Sequence, residues 1–165
     1  MAVSEMRADT YLFNFAFNNE GQIRERHKLE VNEITVQPLA YAGAKKVVSY
    51  LADRISIFGG ILNAPKVLLE ADSLIIRGNE RCVSTICAQE LLALKADDIH
   101  LERVLIFLHE HARIFVVTNG VPVASNVVLY RYRTEGSNFV PTNITLYSTW
   151  SDFSSQCGAF GIAEE

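Results

Sequence analysis

The sequence predicts an all-β protein whose middle is a short parallel β-helix (a solenoid) and whose two ends are built differently. Three observations lead to this fold class. A pattern of about 20 residues recurs four times, apolar and polar residues alternate within its copies, and both ends of the chain lack it. A period of this length is typical of one coil of a solenoid, which buries its apolar face only against the next coil.

The length and composition indicate a single domain covering residues 1–165. Of these residues, 49% are hydrophobic and 21% are charged, which is typical of a globular chain rather than a disordered one. The sequence divides this domain into an N-terminal cap (residues 1–27), a repeat core (28–105) and a C-terminal β unit (106–165).

The N-terminal segment predicts a hairpin that caps the first coil. Aromatic side chains alternate with other residues, as on a strand with one aromatic face: Tyr11, Phe13, Phe15 and Phe17. The turn-forming segment Asn18–Gly21 would let Gln22–Val31 return as the second strand. The end of a solenoid needs such a cap because it exposes unpaired backbone groups. Tyr11, Phe13 and Phe15 also form a candidate surface for contacts with a partner.

The repeat core rests on four segments that align with one another: Lys28–Val36, Tyr50–Ile57, Leu69–Ile76 and Leu94–Leu101. Their equivalent apolar residues lie 21, 19 and 25 residues apart and are Ile34, Ile55, Leu74 and Ile99. If each coil pairs in parallel with the next, these four side chains form one interior column. In the three later copies an Ala-Asp pair marks a bend, where the aspartate can accept hydrogen bonds from nearby backbone amides.

An alternative interpretation is an α+β fold with helices near residues 44–55 and 88–96. The segment Ala88–Ala96 consists almost entirely of strong helix formers, and Ala44–Ile55 places its apolar residues on one helical face. The solenoid is favoured because the copy of the repeat that lies between these two segments contains Pro65 at the corresponding place, and a helix interior tolerates proline poorly.

The C-terminal unit predicts a small antiparallel structure packed on the last coil. The segments Asn126–Arg133 and Asn143–Trp150 have the composition of two strands, and Ile114–Val117 predicts a further strand that ends in a turn. Trp150 and Phe153 would supply either the core of this unit or an interaction surface.

The charge and the cysteines narrow the choice of partners and compartment. The net charge of −4 is spread without a basic stripe, which argues against nucleic acid as a partner. No apolar stretch approaches the roughly 20 residues that cross a bilayer, and the start lacks the pattern of a signal peptide. We therefore expect a cytoplasmic protein, with non-classical secretion left open. Cys82, Cys87 and Cys157 are expected to be free thiols, and Cys157 is the candidate for an intermolecular disulfide if the protein is exported.

One cluster of residues could carry chemistry. On a strand, His109 and His111 would point to the same face and could share a metal ion, with His100 as a third ligand and Glu110 as general base. The other interpretation is a solvated strand edge that binds nothing. No motif for any organic cofactor is present, so none is expected.

The predicted architecture, a short parallel β-helix without enzyme motifs, resembles that of the bactofilins, cytoskeletal proteins that polymerise by stacking end to end. The resemblance covers the coil region and implies self-association through the ends of the solenoid. The repeat core, the aromatic-rich ends and the lack of a convincing catalytic set lead to the first hypothesis, a non-enzymatic structural or interaction module that forms homo-oligomers through its coil ends or an aromatic surface. The alternatives are a metal-dependent hydrolase or lyase that uses His100, His109 and His111, and a secreted or crystal-forming toxin or adhesin.

Overall fold

The computed structural model describes residues 10–13 and 25–159, which form a parallel β-solenoid of about five turns. The described strands are β1 (Thr10–Phe13), β2 (Arg26–Glu30), β3 (Glu33–Val36), β4 (Tyr41–Gly43), β5 (Val47–Phe58), β6 (Ile61–Asn63), β7 (Lys66–Arg77), β8 (Ser84–Ala88), β9 (Leu91–His109), β10 (Arg113–Thr118), β11 (Val123–Glu135), β12 (Asn138–Tyr147) and β13 (Gly158–Ala159). One short helix, α1 (Trp150–Ser154), lies between β12 and β13.

The strands stack into three sheets, here named faces A, B and C. Face A contains β2, the first parts of β5, β7 and β9, and then β10 and β13. Face B contains β1, β3, the second parts of β5 and β7, the middle of β9 and the start of β11. Face C contains β4, β6, β8, the end of β9 and the rest of β11, all parallel, and ends with the antiparallel strand β12.

The interior is filled by columns of apolar side chains that continue from turn to turn. Ile34, Ile55, Leu74 and Ile99 are direct neighbours in the parallel ladders of face B, and each is at most 2% exposed. The predicted interior column is therefore confirmed. Equivalent columns on the other faces close the core: Val48, Val67 and Leu92 on face A, and Leu62, Ile86, Ile106 and Leu129 on face C.

Small and acidic residues mark the corner between faces A and B. Asp53, Asp72 and Asp97 are exposed and drop out of the strand pairing, while the alanine before each of them is buried. An alanine leaves room for the backbone to bend toward the interior, and the aspartate stays in water. The Ala-Asp pairs thus mark bends, as the sequence predicts.

In four turns the corner between faces B and C contains a residue with a left-handed backbone. Leu39, Gly59, Arg103 and Asn126 have φ angles of 66°, 78°, 57° and 54°. At Gly59 an added Cβ would lie 3.0 Å from the Cβ of Cys82, so the turn suits glycine there. The other three positions show that this corner forms even with side chains that disfavour it.

The helical alternative is wrong. Residues 44–55 and 88–96 belong largely to β5 and β9. The start of β5 alternates between buried and more exposed side chains, whereas Leu91–Leu94 at the start of β9 are all buried. Parallel pairing on both sides of each strand buries these apolar residues in columns, and that tertiary packing overrides the helix propensity of the segments.

The predicted N-terminal hairpin is also wrong in the described residues. β1 pairs in parallel with β3 on face B, whereas β2 pairs in parallel with β5 on face A. In a solenoid, consecutive strands occupy neighbouring faces, so each strand pairs with the next coil instead of with its neighbour in sequence. The predicted turn Asn18–Gly21, together with Phe15 and Phe17, lies outside the described residues.

The solenoid continues beyond residue 105, where the sequence repeat fades. β10 and β11 pair in parallel with β9 and form a fifth turn. The antiparallel pair of β11 and β12 confirms one part of the prediction for the C-terminal unit, whereas β10, which contains Ile114–Val117, is parallel and belongs to the solenoid. The sequence missed α1, which begins after Thr149, whose hydroxyl accepts a hydrogen bond from the Asp152 amide at 3.1 Å.

Candidate functional site

The outer surface of face C is apolar and aromatic across all five turns. One row of outward residues, in direct register, is Tyr41, Ile61, Thr85, Leu105, Val128 and Leu146. The next row is Asn63, Cys87, Phe107, Tyr130 and Ile144. None of these side chains carries a charge, so face C differs from the rest of a surface on which charged residues are common.

Aromatic rings concentrate at the C-terminal end of face C. Phe107 stacks on Tyr132 with ring centroids 4.6 Å apart, and Phe139 meets Tyr132 edge-on at 5.0 Å. These rings leave Tyr132 only 4% exposed, and this burial raises the pKa of its hydroxyl. The three rings therefore pack around Tyr132, with Phe139 on the outer side of the cluster.

β12 is the last described strand of face C, and among the described strands it pairs only with β11. Phe139, Ile144 and Leu146 project from it and are 61%, 56% and 59% exposed. An edge strand with open backbone groups and large exposed apolar side chains is a template for pairing with another chain. Pro141 interrupts the strand, which leaves residues 143–147 as its regular stretch.

Arg131 on β11 binds the turn between β9 and β10. Its Nη1 atom donates to the backbone oxygens of His109 and Ala112 at 3.0 and 2.8 Å, and more weakly to that of Glu110 at 3.4 Å. The guanidinium thus satisfies carbonyls of the turn that closes the fourth coil. Desolvation in this position lowers the pKa of Arg131.

All three cysteines are free thiols, and two of them are held in the protonated form by burial. Burial raises the pKa of Cys87 to about 11 and that of Cys157 to about 12, although Arg131 partly opposes the shift at Cys157. The Cys157 thiol is half-buried and donates to the Phe153 carbonyl at 3.7 Å. Because the thiolate is the form that forms disulfides, neither group is activated for an intermolecular disulfide.

The aromatic residues singled out in the sequence lie elsewhere. Phe153 is fully buried under Trp150 and Tyr147, with ring centroids 5.6 and 6.0 Å away, so it belongs to the core. Trp150 is half-buried on α1. Tyr11 and Phe13 lie on β1, in register with Ile34 and Val36. The structure describes only the backbone of these two residues, and Phe15 lies outside the described residues.

The structure does not bring the three histidines together. His100 lies on face B, where its Nε2 is 3.3 Å from Glu102, whereas β9 turns a corner before it reaches His109 on face C. The prediction that His109 and His111 share a strand is wrong, because β9 ends at His109 and Glu110–His111 form a turn. In that turn the His111 amide donates to Nδ1 of His109 at 3.1 Å. Within the described residues, no group of three or more His, Cys, Asp or Glu side chains is placed to hold a metal ion.

Two charged grooves flank face A, one at each end of its strands. The groove at the strand starts has a volume of about 540 Å³ and includes Arg26, Lys45, Lys46 and Lys66 in its lining. The groove at the corner with face B has a volume of about 530 Å³ and includes Asp53, Glu70, Asp72 and Asp97. The separation of charge is partial, because the first groove also includes Glu90 and the second also includes Lys95. The sequence does not reveal it, since these residues come together only when the coils stack.

No model of a known protein family, no curated protein and no solved structure matches this chain. The described part of the chain contains no helix with the length and apolar character that crossing a bilayer requires. The fold and its surface together define a three-sided β-solenoid with an apolar face, an open edge strand and a charged face.

Proposed function

We propose that the chain is a structural module whose copies associate through the C-terminal end of the solenoid. The observation that carries this proposal is the open edge of β12, with Phe139, Ile144 and Leu146 each more than half exposed. This surface differs from the aromatic residues that the sequence suggests, but it lies at a coil end, as the first hypothesis expects.

A second copy fits this edge by symmetry. Two β12 strands can pair antiparallel about a two-fold axis between them, which satisfies their open backbone groups and joins two C faces into one continuous sheet. The regular stretch of residues 143–147 contains no charged side chain, so no like charges oppose each other across the axis. Ile144 and Leu146 of both copies would then lie side by side on the outer surface, where mutual contact removes apolar area from water.

The test is analytical ultracentrifugation of the wild-type chain and the double variant Ile144→Lys/Leu146→Lys over a wide concentration range. At high salt, which screens contacts between charges on the other faces, we expect a wild-type dimer and at least ~10-fold weaker association in the variant, because the new charges would stand close together at the shared edge. Val121→Lys is the matched control, since Val121 is 86% exposed but lies outside β12. A wild-type chain that stays monomeric, or equal loss in the control, would contradict the proposal.

A further inference from the structure

In the first three turns of face A, the outward residues of β2 and β7 share a charge pattern, with a basic residue at the start of the strand and an acidic residue at its end. β2 presents Arg26, Lys28 and Glu30, and β7 presents Lys66, Leu68 and Glu70 at the same three register positions. β5 lies between these two strands and presents Val47, Ser49 and Leu51. The start of each strand is thus basic or apolar, and its end is acidic or apolar.

The residues around the face extend this separation of charge. Lys45 and Lys46 lie in the groove at the strand starts, and Asp53 and Asp72 lie in the groove at the strand ends. Two ion pairs already exist at these edges, Lys46–Glu25 at 3.6 Å and Lys95–Glu70 at 3.7 Å. The side chains in both pairs are about half exposed, so exchange of these contacts for others costs little.

We propose that face A docks on face A of a second copy about a two-fold axis parallel to the solenoid axis. This rotation reverses the strand direction but keeps each residue at its own level in the stack. Arg26 then lies opposite Glu30 of the second copy, Val47 opposite Leu51, and Lys66 opposite Glu70. The symmetry repeats every contact, so each strand of the first three turns makes two complementary contacts.

The charge pattern selects this axis over the other face-to-face arrangement. The two edges lie four residues apart along the strand, which corresponds to about 13 Å. A two-fold axis along the strands would place basic edge on basic edge and acidic edge on acidic edge. The same rotation places Lys28 opposite Lys28 of the second copy, so each ammonium group must turn away from the other, toward Glu30 of the other copy, which lies about 7 Å along the strand, a distance that a lysine side chain can span.

The partner is a second copy of this chain because the same face carries both halves of the complementary pattern at matching levels. The inference goes beyond the proposed function, since face A and β12 are separate surfaces. The two surfaces can also be separated experimentally. Salt screens the charges on face A and weakens contacts between them, whereas contacts through the apolar edge of β12 do not rely on electrostatic attraction.

The experiment uses the chain with Ile144→Lys/Leu146→Lys, so that β12 does not contribute. In this background we compare Lys66→Glu, Glu70→Lys and the double exchange Lys66→Glu/Glu70→Lys by ultracentrifugation at low and at high salt, with circular dichroism to show that each variant is folded. We expect each single exchange to weaken low-salt association ~10-fold or more, because like charges then face each other twice. The double exchange should restore it to within ~3-fold of the background, because the pairs reform with reversed signs.

Three results would overturn the proposal. They are a background chain that is monomeric at low salt, a double exchange that associates as weakly as the single ones, and association that high salt leaves unchanged. A fourth measurement adds a poly-glutamate peptide to the background chain. Binding of this peptide in place of self-association would assign the basic groove to an acidic partner, whereas self-association in its presence supports the second copy.

Discussion

Single residues decide where this solenoid turns and how its last coil is closed. At the corner between faces B and C, Arg103 and Asn126 adopt left-handed backbone angles that side chains other than glycine disfavour. At the corner between faces C and A, the turn after His109 has carbonyl groups that no strand pairs. Arg131 reaches these carbonyls from the next coil, so one side chain links the fourth turn to the fifth.

We expect Arg131→Ala to lower the free energy of unfolding by about 2–4 kcal/mol, because the carbonyls of His109 and Ala112 lose a charged donor. Arg131→Lys should recover only part of this loss, since an ammonium group lacks the planar fork of the guanidinium. Arg133→Ala is the control. Arg133 makes an exposed pair with Glu135 at 2.8 Å, so its loss should cost about 0.5 kcal/mol or less. Urea denaturation measures all three, and equal losses for Arg131→Ala and Arg133→Ala would contradict this role.

At the scale of elements, the strands of the core could be predicted because each copy of the repeat carries the same apolar positions. Ile34, Ile55, Leu74 and Ile99 fix the register by themselves, since a slip of one residue would turn them outward. The helix propensity of Ala88–Ala96 does not outweigh this packing, because the free energy that propensity contributes is small beside that gained by burying a whole column of apolar side chains.

Other features depend on contacts that a single sequence does not encode locally. The aromatic alternation at Tyr11 and Phe13 predicts a strand, and β1 is one, but which strand it pairs with depends on the coil path. The spacing of His109 and His111 suggests a shared face only if the strand continues, and β9 ends at His109. The exposure of Ile144 follows from the place of β12 at the end of the stack.

Two neighbouring residues of β7 test the alternation of the strand directly. Ile76 is fully buried in a column of face B, whereas Ile75 points outward between Ser56 and His100 and is half-buried. We expect Ile76→Ala to lower the free energy of unfolding by about 2–5 kcal/mol, and Ile75→Ala by about 1 kcal/mol. Thermal or urea unfolding at low protein concentration gives both values. If Ile75→Ala proved the more costly, the assignment of inner and outer sides on this strand would be incorrect.

At the scale of the whole molecule, the solenoid separates two kinds of surface by geometry. The open edge of β12 lies at the end of the stack, and face A runs along its side. Pairing through β12 alone would stop at a dimer, because each of the two edges is then covered by the other and none is left for a third copy. A lateral contact through face A would then join such dimers, so the two proposed surfaces together can build assemblies larger than either one.

The stacked architecture makes a final prediction about the removal of one complete coil. Deletion of residues 66–90 joins Pro65 to Leu91. In the intact chain β7 pairs with β5 on one side and with β9 on the other, so after the deletion β9 can pair with β5 in the position that β7 occupied. Because each coil contacts mainly its neighbours, the shortened chain should still unfold cooperatively, with a free energy of unfolding lower by roughly 1–4 kcal/mol. The control deletion of residues 66–77 removes β7 but leaves β8, which breaks the register at a corner, so we expect loss of the folded state. Circular dichroism and urea denaturation distinguish the two. The shortened chain keeps β12 but lacks Lys66 and Glu70, and it should therefore retain association through β12 while the salt-sensitive contact weakens. Loss of cooperative folding in the complete-coil deletion would show that the turns are not equivalent units.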